Sequence, residues 1–216
     1  MIALSNVADA FGSAPTIWLG VGLGLRHATD ADHFVAVSAL VEREQSTWRA
    51  AGVAACWGLG HTASFLALGA VVVLGDVRLP VAFEHAVEAL VGAMLVLLGV
   101  RQLVRPRTVT PTRGIDAKRP LAVGLIHGTA GSTAIALLAA TTIGSSSRAL
   151  LYLVEVALGT VLGMSLLTIA LSAGLRWAAR VVRARAALLT IAAALASVAL
   201  GATILADAVT ASHAGP

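Results

Sequence analysis

The chain has 216 residues, 58% of them hydrophobic and 12% charged, with a mean hydropathy of +0.89. That composition excludes a soluble globular domain and leaves an all-α, polytopic membrane protein. The formal charge of +4 does not mark a nucleic-acid binder, because the basic residues sit in short loops between apolar runs, where they set topology. A single cysteine, Cys56, rules out an intrachain disulfide and a Cys-x-x-Cys relay.

Residues 1 to 15 form a weakly polar lead with Asp9 and Pro15 but no basic n-region, so no cleaved signal peptide is expected. Six apolar spans follow, at about Thr16 to Leu40, Ala50 to Leu74, Glu84 to Val104, Leu121 to Thr142, Leu150 to Ala173 and Ala187 to Val209. The long connection, Arg105 through Pro120, divides the chain into a first half (1–104), a basic loop (105–120) and a second half (121–216), with three spans in each half.

The first span carries Arg26-His27-Ala28-Thr29-Asp30-Ala31-Asp32-His33 near its middle. Charged residues at that depth cost roughly 2.5 to 3.5 kcal/mol each on insertion scales, so they are seldom present without a task. Two imidazoles with two carboxylates suit a late first-row divalent metal better than magnesium or calcium. At about 100° per residue, His27, Asp30 and His33 share one arc of a regular helix while Asp32 points away. Either the helix is distorted, or Asp32 acts from behind the ligands. Arg26 is one turn from Asp30 and is a candidate partner for it. The alternative is a polar network that only holds helices together.

His61, with Thr62 and Ser64 beside it, lies in the second span at a depth matching that of His27. It is a ligand, a support for one, or a hydrogen-bonded core histidine. Cys56 reads as a small apolar filler, and His85 with Glu84 and Glu88 as an entry site for the ion or a solvated helix end. In the second half, Gly124-Leu125-Ile126-His127-Gly128-Thr129 repeats Gly24-Leu25-Arg26-His27-Ala28-Thr29 with four of six identities at an offset of 100. Weaker matches place Leu59-Gly60 on Leu158-Gly159 and Leu98-Gly99 on Leu200-Gly201. Halves of three spans each must run oppositely through the membrane, so two inverted three-helix repeats are expected, with a midplane site at their interface. The second half keeps His127 but has Ala130, Ser132 and Thr133 where the first has Asp30, Asp32 and His33. His127, Thr129 and Ser132 are therefore expected to line the path opposite the site, or merely to pack.

Twelve of the fifteen Lys and Arg residues fall in the first, third and fifth loops, and only Arg78 and Arg148 fall in the others. By the positive-inside rule both termini are expected outside. Asp9, Asp76, Glu84, Glu88, Asp207 and the shallow Glu155 then face outward, where they would concentrate cations or simply be solvated.

These residues also carry a family likeness. His27-x4-Asp32-His33 within Arg26 to His33, Ala36 to Val41, Trp57 to Thr62 and Gly124 to Ser132 together resemble the nickel/cobalt permease family, and especially its shorter, urease-associated branch. The chain departs from the main branch in having room for six spans instead of eight, and Ser38-Ala39 where an Asp-Asn pair is usual. The resemblance implies a permease, not an enzyme, that moves Ni2+ and possibly Co2+ through the bacterial cytoplasmic membrane, with no permanent cofactor. His27, Asp30, Asp32, His33 and His61 would bind the metal, and Arg26, Thr62, His127, Thr129 and Ser132 would support it or line its path. No nucleotide-binding motif is seen, and the basic loop lacks the histidines of exporters in the wider group, which points to uptake. Besides export there are enzyme alternatives. His27-x4-Asp32 also reads as a membrane acyltransferase motif, and a metal-dependent intramembrane hydrolase would need Glu155 as its base.

Overall fold

The computed structural model describes residues 16–41, 44, 46–104, 116–130, 135, 138–139, 141–181 and 183–213. The regular elements among them are seven helices: α1 (Thr16–His27), α2 (Ala31–Val41), α3 (Thr47–Gly75), α4 (Val81–Val104), α5 (Lys118–His127), α6 (Ser146–Val181) and α7 (Arg183–His213). Long stretches of α3, α4, α6 and α7 have the length and apolarity to cross a membrane. Their outward faces are apolar too, with Leu59, Leu97, Leu162, Leu166 and Leu195 all more than half exposed. An apolar exterior is stable in lipid and not in water, so the fold is that of an all-α membrane protein. Trp48 at the start of α3 and Trp177 near the end of α6 stand exposed on the arginine-rich side, as interfacial tryptophans do.

Local chemistry sets the ends of α3. The Ser46 hydroxyl accepts the Arg49 amide at 3.2 Å, and Asp76, at φ 48°, turns the chain into the left-handed region after Gly75. α6 runs past the expected Ala173 to Val181, and Arg176 on its extension donates to the Thr47 hydroxyl at 2.8 Å.

The two spans that carry the repeated histidine motif are not continuous helices. α1 stops at His27 and α2 starts at Ala31, and between them the Thr29 and Asp30 amides reach back only three residues, to Arg26 and His27. The Thr29 hydroxyl donates to the Arg26 carbonyl at 2.7 Å, taking up an acceptor that a continuing helix would use. α5 ends in the same way: the Thr129 and Ala130 amides reach Ile126 and His127, and the Thr129 hydroxyl donates to Ile126 at 2.6 Å. Beyond that turn Ile135, Leu138, Ala139, Thr141 and Thr142 again have helical backbone. Each expected span at 16–40 and 121–142 is therefore interrupted directly after its histidine, and the wheel drawn for a straight first helix does not apply. The expected basic loop lies largely outside the described residues, as do Asp9, Arg43 and Ser132.

The packing is reciprocal. α1 packs on α6, α5 on α3, and α4 on α7. Gly24 of α1 lies against the Val156 carbonyl and Thr160 nitrogen of α6, and Gly124 of α5 lies against the Trp57 carbonyl and His61 nitrogen of α3, the same contact at offsets of 100 and 99. Gly99 meets the Ala194 carbonyl and Val198 nitrogen, while Gly201 meets the Gly92 carbonyl and Val96 nitrogen, again the same contact at an offset of 102. Only a residue without Cβ admits backbone this close, so the four glycines fix how the helices cross.

Candidate metal centre

The breaks after His27 and His127 bring four imidazoles together. His27 is the last residue of α1, His33 lies in the first turns of α2, His61 is midway along α3, and His127 ends α5. Ring centroids are 4.6 Å apart for His27 and His33, 5.2 Å for His33 and His61, 5.5 Å for His27 and His61, and 4.5 Å for His33 and His127. His33, His61 and His127 are buried, while the His27 side chain is 15% exposed and opens the cluster to one side.

The carboxylates sit behind the rings. Asp30 Oδ2 is 2.9 Å from His27 Nδ1. Asp32 Oδ1 accepts the His33 amide at 2.9 Å and lies 3.1 Å from His33 Nδ1, and its Oδ2 is 2.9 Å from His127 Nε2. A carboxylate on one ring nitrogen fixes the imidazole orientation and leaves the other nitrogen as a lone-pair donor. In the three rings so held that other nitrogen is orphaned: His27 Nε2, His33 Nε2 and His127 Nδ1 are buried with no hydrogen-bond partner, and so is Nδ1 of His61, which has no carboxylate on it among the described residues. His27, His33 and His61 each offer a ring nitrogen within 4.8 Å of the others. A late first-row ion bound at about 2.0 to 2.1 Å draws its ligands to about 3 to 3.5 Å from one another, a contraction of the order of side-chain adjustment. Buried imidazole nitrogens without partners are costly, and a late first-row divalent cation would satisfy those of His27, His33 and His61 at once. A second group, Asp32, His33 and His127, also has its donors within 4.8 Å, but hydrogen bonds already join them.

The remaining expected residues divide. Arg26 is exposed, and among the described residues Asp30 has its ion pair with His27 and not with Arg26. The pairing considered from the one-turn spacing is thus taken over by the nearer imidazole. The Thr62 hydroxyl is buried without a partner and forms no hydrogen bond to the cluster, since neighbours on a helix diverge by about 100°. Thr129 ends α5. His85 lies 3.7 Å from Glu88 on the surface of α4, as a helix-end pair. Trp57 was not singled out as a site residue: fully buried one turn before His61, it lies 5.6 Å from the His33 ring and 6.2 Å from that of His127 and packs beside the cluster. Its four-residue spacing from His61 was the available signal.

No protein-family model matches the chain, and no solved structure does. It is 32% identical over 162 residues to the urease accessory protein UreH of Bacillus sp. (strain TB-90), a likeness that covers 68% of this chain and 71% of that protein. Identity at this level over most of both proteins, in a membrane protein that carries the His-x4-Asp-His signature at its imidazole cluster, shows that the chain belongs to the nickel/cobalt permease-type family of UreH.

Proposed function

We propose that the chain is a secondary transporter that takes up Ni2+, with Co2+ as a second substrate, through the bacterial cytoplasmic membrane, and that it belongs to the shorter, urease-associated branch of its family. The observation that carries this reading is the trio of orphaned nitrogens, His27 Nε2, His33 Nε2 and His61 Nδ1, buried where α1 breaks. These three bind the ion, Asp30 and Asp32 hold the rings from behind, and His127 anchors Asp32. Two carboxylates one hydrogen bond away balance a divalent charge, which tempers the cost of carrying the ion into low dielectric. Three protein ligands leave a coordination position open, which suits a site that must release its ion.

The architecture of this reading is two inverted three-helix repeats, each with a broken first helix. The reciprocal glycine contacts at offsets of 100, 99 and 102, and the matched turns at Thr29 and Thr129, support it. Rocking of one repeat against the other would expose the site alternately. The arginine distribution favours termini outside. Membrane potential then supplies about 4.6 kcal/mol per divalent ion at 100 mV. The acyltransferase alternative needs Asp32 to orient His27, whereas Asp32 holds His33 and His127. The loop without histidines speaks against export.

The test is radioactive nickel uptake in cells expressing the chain, with cobalt and zinc as competitors. Wild type is expected to accumulate nickel, and His27→Ala and His33→Ala to accumulate none at equal abundance in the membrane. Accumulation by either variant at the wild-type level defeats the assignment.

A further inference from the structure

We propose that Glu155 is a second cation-binding group, a carboxylate station that receives the divalent ion on its way to the imidazole site; this rests on the transport reading above. Glu155 lies within the membrane-crossing part of α6, is only 6% exposed, and its Oε2 is buried without a hydrogen-bond partner. No ion pair to it occurs among the described residues. An unpaired carboxylate at such a place is expensive and calls for a cationic partner.

Its position says which cation. A Cβ on Gly20 of α1 would lie 2.7 Å from both Cβ and Oε2 of Glu155, so the side chain occupies room that the missing Gly20 side chain leaves. Gly20, Gly24 and His27 follow one another down a single face of α1, and Glu155, Gly159 and Gly163 down the facing stripe of α6. Glu155 therefore heads the same seam that ends at the His27 ring, about 10 Å away along the axis. Between them the seam is closed by backbone contact, Gly24 on Val156 and Gly159 on Val21. An ion at Glu155 waits above this closure, and separation of α1 from α6 lets it descend to the imidazoles. In the reciprocal α3–α5 seam the residue at the 99 offset is Cys56, so only one of the two seams carries a carboxylate. The two sides of the site are thus chemically unequal, with the acid on the side of the α1 N-terminus.

The test compares initial nickel-uptake rates against external nickel for wild type, Glu155→Gln and Glu155→Asp, normalised to protein in the membrane, with nickel binding to each purified protein measured in parallel. Glu155→Gln is expected to raise KM about tenfold with kcat within about twofold, because losing an early station weakens capture without touching later steps. Glu155→Asp is expected to keep KM close to wild type, and purified Glu155→Gln to bind nickel at the imidazole site with wild-type affinity. An unchanged KM in Glu155→Gln, a fall in kcat at constant KM, or loss of affinity at the imidazole site each overturns the proposal. Absence of nickel uptake by the wild type defeats the transport reading itself.

Discussion

Exchanging each carboxylate for its amide separates the roles of Asp30 and Asp32. Asp32→Asn keeps the shape but leaves one acceptor oxygen where two now serve His33 Nδ1, the His33 amide and His127 Nε2. The amide oxygen can stay on His33, but the amide NH2 then faces His127 Nε2, which must become an acceptor, and the charge that strengthens His33 as a donor is gone. Losing such a support behind a metal-bound histidine typically costs 10- to 100-fold in affinity, about 1.4 to 2.8 kcal/mol. Among the described residues the Asp30 side chain makes one hydrogen bond, with His27 Nδ1, and is 52% exposed. Water replaces much of what Asp30→Asn removes, so a loss of about two- to fivefold is expected. Titration of nickel into each purified variant by calorimetry reads both values. An Asp30→Asn variant that loses as much affinity as Asp32→Asn would refute the reasoning and make Asp30 a direct ligand.

His127→Ala should weaken nickel uptake less than His27→Ala, since it frees Asp32 Oδ2 but removes none of the three donors of the imidazole site; equal damage in the same assay would move the metal toward the Asp32–His33–His127 group. Gly124→Ala should lower the thermal midpoint of the purified protein, because its Cβ runs into backbone at Trp57 and His61, with a cost of about 1 to 3 kcal/mol; Gly22→Ala, with open space around it, is the control and should leave the midpoint unchanged. A cysteine in place of Arg113 in a Cys56→Ala background should be shielded from an impermeant thiol reagent in intact cells, and one in place of Ser146 should react; the reverse pattern overturns the orientation taken from the arginine count.

Hydropathy alone locates the apolar runs but is blind to the breaks within them. Ala28, Thr29 and Asp30 contain no proline or glycine, and the run on either side is as apolar as any other. What ends α1 is a threonine hydroxyl bonding back to Arg26, a local competition that only the residue types hint at. Two signals were present: Thr and Asp in mid-run, both better at helix ends than in helix interiors, and the recurrence of Gly-Leu-x-His-x-Thr in the second half. The straight-helix wheel grouped His27, Asp30 and His33 and set Asp32 apart; with the helix broken, both acids turn onto ring nitrogens and the geometry is local to the turn.

The contacts that complete the cluster join elements far apart in the sequence. His61 and Trp57 arrive on α3 and His127 on α5, and the contact between Asp32 and His127 spans 95 residues. Their convergence follows from the glycines. Gly124 brings α5 onto α3 at Trp57 and His61, and Gly128 brings the α5 turn against the His61 carbonyl and the Ser64 hydroxyl, so the ring of His127 is delivered beside that of His61. In the other seam Gly24 and Gly163 seat the His27 turn on α6 by the corresponding contacts. The same scaffold is thus present on both sides, while the chemistry is not: one turn carries Asp30, Asp32 and His33, and the other keeps only the histidine that holds Asp32 in place. In the proposed reading the three ligands, His27, His33 and His61, all belong to the first half, so motion between the halves would change access to the ion without pulling its ligands apart.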